Sequence, residues 1–98
     1  MSTRLVIRPE ASLDLEEALH WYEEQREGLG ERLTAEIDDL LARISEAPLQ
    51  FPEVGKGGRR GLLHHFPYAV YFLLKEDVAV VIAILHQRRD PDAWKRRI

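Results

Sequence analysis

Val78-Ala79-Val80-Val81-Ile82-Ala83-Ile84-Leu85 is the longest apolar run in the chain. Eight residues suit a strand and fall far short of a membrane span. Most of its side chains are β-branched, and both alternating faces are apolar. It therefore reads as a central strand, extended to His86 and covered on both sides. The rest of the chain has to supply its neighbours and its covers.

Immediately before it, Ala69 to Lys75 reads as a second strand, with Glu76-Asp77 as the short turn between them. Tyr68, Tyr71 and Phe72 alternate with aliphatic residues there and read as core or sheet surface. Arg60 to Phe66 reads as a further strand. Residues 48–58, with two prolines and three glycines, read as a loop.

Further toward the N-terminus the period changes from 2 to 3.6. Leu33, Ile37, Leu40, Leu41 and Ile44 form one stripe, which predicts a helix from about Glu31 to Pro48. Ala11, Leu15, Ala18 and Tyr22, with Leu19 beside them, form another. That first helix starts either at Pro9 or at a capping box, Asp14-Leu15-Glu16-Glu17. Gly28-Leu29-Gly30 ends it, so the two helices read as an antiparallel hairpin. Leu5-Val6-Ile7, stopped by Arg8-Pro9, is a first strand whose place in the sheet is open. The order β-αα-βββ is an α+β fold, a helical hairpin on a mostly antiparallel sheet, with a short C-terminal segment. The hairpin covers one face of the central strand. The other face needs that C-terminal segment, where Trp94 is the candidate, or a partner.

The 98 residues allow one domain, 1–98, and contain no cysteine. Area scaling predicts ~5,800 Å² of folded surface, enough burial for a core without staples. Disulfide frameworks, thiol catalysis and Cys-ligated zinc are excluded. No run resembles a signal sequence or membrane span, so a cytoplasmic protein with no membrane partner is expected. The net charge of −3 suggests indifference to nucleic acid, but the halves differ. Residues 1–50 carry five basic and twelve acidic side chains, a balance of −7; residues 51–98 carry nine and five, a balance of +4. The acidic excess lies mostly on the solvated face of the helical hairpin. The basic excess asks for an anionic target or partner.

Lys56, Arg59, Arg60, His64 and His65 fall on the loop and the strand after it, and His86, Arg88, Arg89, Lys95, Arg96 and Arg97 at the end of the last strand and beyond. In a three-stranded meander, Arg59 and Arg60 lie near the start of the last strand, and His64 and His65 near His86. The two clusters are either one anion-binding face or two unrelated solvated patches. His86 is a chemically sensible general acid or base, and with Arg60, Arg88 or Arg89 it has the parts for cleavage by 2′-OH attack. A buried or capping histidine is the plainer reading. Histidine spacing is wrong for a metal, and there is no Ser-His-Asp signature, P-loop or GxGxxG. No cofactor and no small-molecule substrate are expected.

Glu17-Ala18-Leu19-His20-Trp21-Tyr22-Glu23, Gly28-Leu29-Gly30, Phe51-Pro52, Arg59-Arg60, Phe66-Pro67-Tyr68-Ala69-Val70-Tyr71 and His86-Gln87-Arg88-Arg89-Asp90-Pro91 with Trp94 resemble, in that order, the RelE/ParE superfamily. These are toxins of bacterial type II toxin–antitoxin modules, and the resemblance spans nearly the whole chain. It implies a growth inhibitor neutralised by a cognate antitoxin. RelE-like members are ribosome-dependent mRNA interferases; ParE-like members, often linked with plasmid stabilisation, poison DNA gyrase. Arg60, His86, Arg88 and Arg89 stand where the resemblance implies a ribonuclease site. A tyrosine after Pro91 is missing, and Lys56 is the only lysine in the loop. The wording around Trp21-Tyr22-Glu23 and Gly28-Leu29-Gly30 is closer to the ParE-like side. The resemblance thus leans toward a binding protein acting on gyrase, with Lys56, Arg59, Arg60, Arg88, Arg89 and Trp94 as surfaces for target or antitoxin. The alternatives are an endoribonuclease acting on the ribosome and its mRNA, and an inactive homologue that only binds antitoxin.

Overall fold

A computed structural model describes residues 2–89 and 91–98. The chain runs β1 (Arg4–Ile7), α1 (Pro9–Gln25), α2 (Leu29–Glu46), a 3-10 turn (Pro48–Gln50), β2 (Glu53–Gly55), β3 (Gly58–Leu62), β4 (Tyr68–Lys75), β5 (Val78–His86) and a C-terminal 3-10 turn (Ala93–Arg97). The sheet order is β1-β5-β4-β3-β2. β3, β4 and β5 form the expected antiparallel meander, and β1 lies parallel to β5. The apolar run therefore has a strand on each side. Accessible surface is 6165 Å², close to the expectation from chain length. No helix among the described residues is long and apolar enough to cross a membrane.

Two apolar layers sandwich the sheet. On one face, Leu33, Ile37, Leu40 and Ile44 of α2 and Ala11 and Ala18 of α1 pack on Val70, Phe72, Ala79, Val81 and Ile84. The two alanines let α1 lie close to β5. On the other face, Ala69, Tyr71, Leu73, Ile82 and Ala83 are covered by Trp94. Ile82 and Ala83 are consecutive yet share this face, because a bulge opposite Tyr71 and Phe72 shifts the β4–β5 register there. Trp94 is 2% exposed, so the C-terminal segment supplies the second cover. Gly58 makes room for it: a Cβ there would lie 2.6 Å from the indole ring.

Several boundaries differ from the sequence reading, each for a physical reason. α1 starts at Pro9, not at the capping box; the Asp14 carboxylate is taken by the Ile84 amide instead. α2 starts at Leu29 rather than Glu31, with Gly28 at φ 92 as its cap residue. The Glu23 side chain, reaching over from α1, accepts the amides of Gly28 and Gly30 and does the work of an N-cap. The strand expected over 60–66 ends at Leu62. Beyond it, the amides of His64 and His65 donate to Glu36 of α2 rather than to a strand, and Pro67 has no amide to give. The supposed loop 48–58 contains a 3-10 turn and β2, joined to β3 by Gly55, Lys56 and Gly57, all at positive φ.

Candidate functional site

The geometry of the sheet sorts the basic residues onto different faces. Arg60 pairs in register with Tyr71 and so points to the face covered by Trp94. His86 pairs with Tyr68, whose ring packs with the helix-side core, and their centroids are 5.4 Å apart at 72°. Arg60 and His86 thus stand on opposite faces of the sheet. The histidines expected near His86 are elsewhere too: His64 and His65 are held against α2, with His65 Nδ1 3.0 Å from Glu36.

On the helix side, a cleft of about 310 Å³ lies between α1 and the end of β5. Asp14, Glu17, Ala18 and Trp21 line it from α1, and Tyr68, Ile84, His86 and Arg89 from the sheet and the turn after it. The Arg89 guanidinium lies 5.7 Å from the centre of the half-exposed Trp21 ring, a cation–π contact. Partial burial, then the charges of Arg89 and Arg88, lower the His86 pKa below its ordinary 6.5. Both effects favour the neutral imidazole. Its Nδ1 accepts the Arg88 amide at 3.1 Å, which places the ring proton on Nε2. Burial raises the Tyr68 pKa, which keeps the phenol protonated.

On the tail side, Trp94 stacks on Tyr71 and Lys95 Nζ lies 5.7 Å from the indole centre. Burial raises the Tyr71 pKa, and the Arg60 cation beside it opposes the rise. Arg59 is committed to structure: its Nη1 donates to the Phe51 carbonyl at 2.7 Å, and its Nη2 sits 3.5 Å from Glu53. Lys56 occupies the left-handed turn between β2 and β3, at φ 52. Of the predicted residues, the structure therefore gathers His86 and Arg89 at one cleft and Arg60 with Trp94 at another place. Asp90 lies outside the described residues.

Reading the sequence for charge missed three parts of the cleft. Asp14, Glu17 and Trp21 follow i, i+3, i+7 on α1, a spacing that marks one helix face. The pairing of Asp14 with Arg97 across the whole chain leaves no local signal.

A helical hairpin and a C-terminal strap on the two faces of a five-stranded sheet, with the order β-αα-ββββ, define a RelE/ParE-type toxin fold. The model of the ParE toxin of type II toxin–antitoxin systems, parDE, matches residues 5–91, and the chain belongs to that family. Among solved structures, a chain of the chromosomal ParDE toxin–antitoxin system from P. aeruginosa is similar in fold: TM-score 0.77, 17% identity, 87% of this chain and 96% of that one covered. No curated protein matches the sequence.

Proposed function

We propose that this type II toxin stops growth by binding DNA gyrase, and that a cognate antitoxin neutralises it. One observation carries the preference for binding over cleavage. Of the cations that RNA cleavage could use with His86, Arg60 lies on the opposite face of the sheet, and Arg89, which shares the His86 cleft, is turned onto the Trp21 ring. The His86 Nδ1 lone pair is also occupied by a backbone amide. General acid–base catalysis needs its groups around one reacting phosphate, and Arg60 is withheld from such a set. The ParE family model supports the same reading. The antitoxin is inferred from that family and from the toxin–antitoxin system in which the similar fold occurs.

The experiment is a pair of assays on one preparation. Purified protein is expected to inhibit gyrase supercoiling and to leave an in vitro translation reaction free of codon-phased mRNA cleavage. Unaffected gyrase at micromolar toxin overturns the proposal; cleavage would assign the chain to the interferase class.

A further inference from the structure

The acidic and basic walls of the cleft between α1 and β5 do not close on each other. Glu17 lines it from α1 and Arg89 from the turn after β5. Both charges act on the Tyr68 phenol, so the three side chains share one neighbourhood. Among the described residues, however, Glu17 and Arg89 form no ion pair, and Arg89 lies against Trp21 instead. Opposite charges that line one cleft without meeting leave room for a ligand that satisfies both.

Other polar groups in the cleft are unspent as well. His86 Nδ1 accepts the Arg88 amide at 3.1 Å. Its Nε2–H and the Tyr68 hydroxyl have no hydrogen-bond partner among the described residues. Asp14, by contrast, is engaged by Arg97 and by the Ile84 amide. Glu17 is therefore the carboxylate on offer. The Trp21 ring is 46% exposed, and Arg89 at 5.7 Å stands near the ~6 Å limit of a cation–π contact, so part of the ring is open to stacking. At about 310 Å³ the cleft is at the small end for ligand sites and suits a single flat ring system.

We propose that this cleft binds the base of a guanine nucleotide. The walls select it. A purely cationic ligand is opposed by Arg89 and a purely anionic one by Glu17. A carboxylate accepts from two adjacent donors at once. Guanine offers N1–H and the N2 amine side by side, with the O6 acceptor next to them for His86 Nε2–H or the Tyr68 hydroxyl. Adenine turns a ring acceptor toward Glu17 instead, which leaves both groups unpaired. Trp21 supplies the stacking face. Arg88, exposed and next to the cleft, and Arg89 are the cations for the phosphate outside it. This site is independent of which growth target the toxin has.

The test titrates the full chain with GMP, AMP and IMP, followed by tryptophan fluorescence and by calorimetry. Trp94 is buried under the tail, so Trp21 carries the optical signal. GMP should bind roughly ten-fold or more tighter than AMP, with IMP, which lacks the N2 amine, in between. Glu17→Gln should weaken GMP about ten-fold and leave AMP unchanged, because an amide cannot accept both donors. Trp21→Leu should lose GMP binding by calorimetry. Both side chains are exposed, so neither change threatens the core. Equal affinity for GMP and AMP, unaltered GMP binding in Glu17→Gln, or no binding at millimolar GMP overturns the proposal. A single-stranded thymidine oligonucleotide with one guanine separates the two sources of the base. Tighter binding than GMP supports a guanine read within a strand, and weaker binding supports the free nucleotide. A strand without guanine that binds equally well overturns the site.

Discussion

The indole of Trp94 lies flat on the Tyr71 ring, with centroids 5.2 Å apart and planes 10° from parallel. Tyr71 belongs to the interior strand β4 and Trp94 to the last turn of the chain. This one stack closes the sheet face that the helical hairpin cannot reach. Trp94→Ala should therefore cost about 3–5 kcal/mol, a core-sized loss at a terminus. Trp94→Phe should retain much of it. Urea unfolding of the two variants measures both; a loss below 1 kcal/mol for alanine would show that the tail is not part of the core.

Acid stability should depend on Glu36. Desolvation raises its pKa, but hydrogen bonds from the His65 amide, the His65 ring and the His64 amide outweigh that, and the net value lies below the ordinary 4.5. A carboxylate depressed in the folded state adds stability above its unfolded pKa and loses it as pH falls through the folded value. Glu36→Gln should thus cost stability at pH 7, about 1–2 kcal/mol given the exposure of both histidines. The difference from the unmodified protein should shrink below about pH 4.5. Thermal melts across pH 3–7 check the sign.

The hairpin turn offers a local test. Gly30 brings its amide to Glu23 Oε1 at 2.9 Å, and a Cβ at Gly30 would lie 2.9 Å from the same oxygen. Gly30→Ala should push that carboxylate away and lower the melting temperature, although alanine favours helix. Glu23→Ala should do the same by stripping the cap. The double variant should be little worse than either single one, because both changes remove the same bond. Additive effects would refute the shared cause.

Because Arg60 and His86 face opposite sides of the sheet, their roles should separate. In the gyrase assay, the effects of Arg60→Ala and His86→Ala should add within about 0.5 kcal/mol, as expected of distant sites. A shared contact patch would make them strongly non-additive. Titration of His86 by NMR should lie below 6.5 and move upward in Arg89→Ala, since one cation that opposes protonation is gone. An unmoved titration would remove the charge account.

Antitoxin capture should be steered by charge. Arg88→Glu with Arg89→Glu should slow association about ten-fold or more at low salt and flatten its salt dependence. Stopped-flow rates against ionic strength provide the check. Equal rates would leave the basic half without a role in encounter.

The element order was legible because periodicity is a local property. The β5 span Val78–His86 and the α2 stripe were read almost residue by residue, since burial on both faces or on one stripe leaves its mark in neighbouring positions. β2 was not legible: three residues after a proline, the last of them a glycine, carry no period. The strand over 60–66 was read too long because nothing local reveals that Glu36, on another element, takes the His64 and His65 amides. The family resemblance was carried by short segments spread over the chain, and the match over residues 5–91 agrees with it.

The candidate site was the less legible part. Sequence by itself determined the basic residues, their location in the second half, and the need for a cover on both faces of the last strand. Only the tertiary structure decided that β1 stops at Val81, that a bulge turns Ile82 and Ala83 to one face, and that Arg60 and His86 are thereby kept apart. The physical reason is the two-residue pleat. Which side of a sheet a residue meets depends on register, and one bulge reverses it. Register is set by partners tens of residues away, as Asp14 and Arg97 are set against each other across β5.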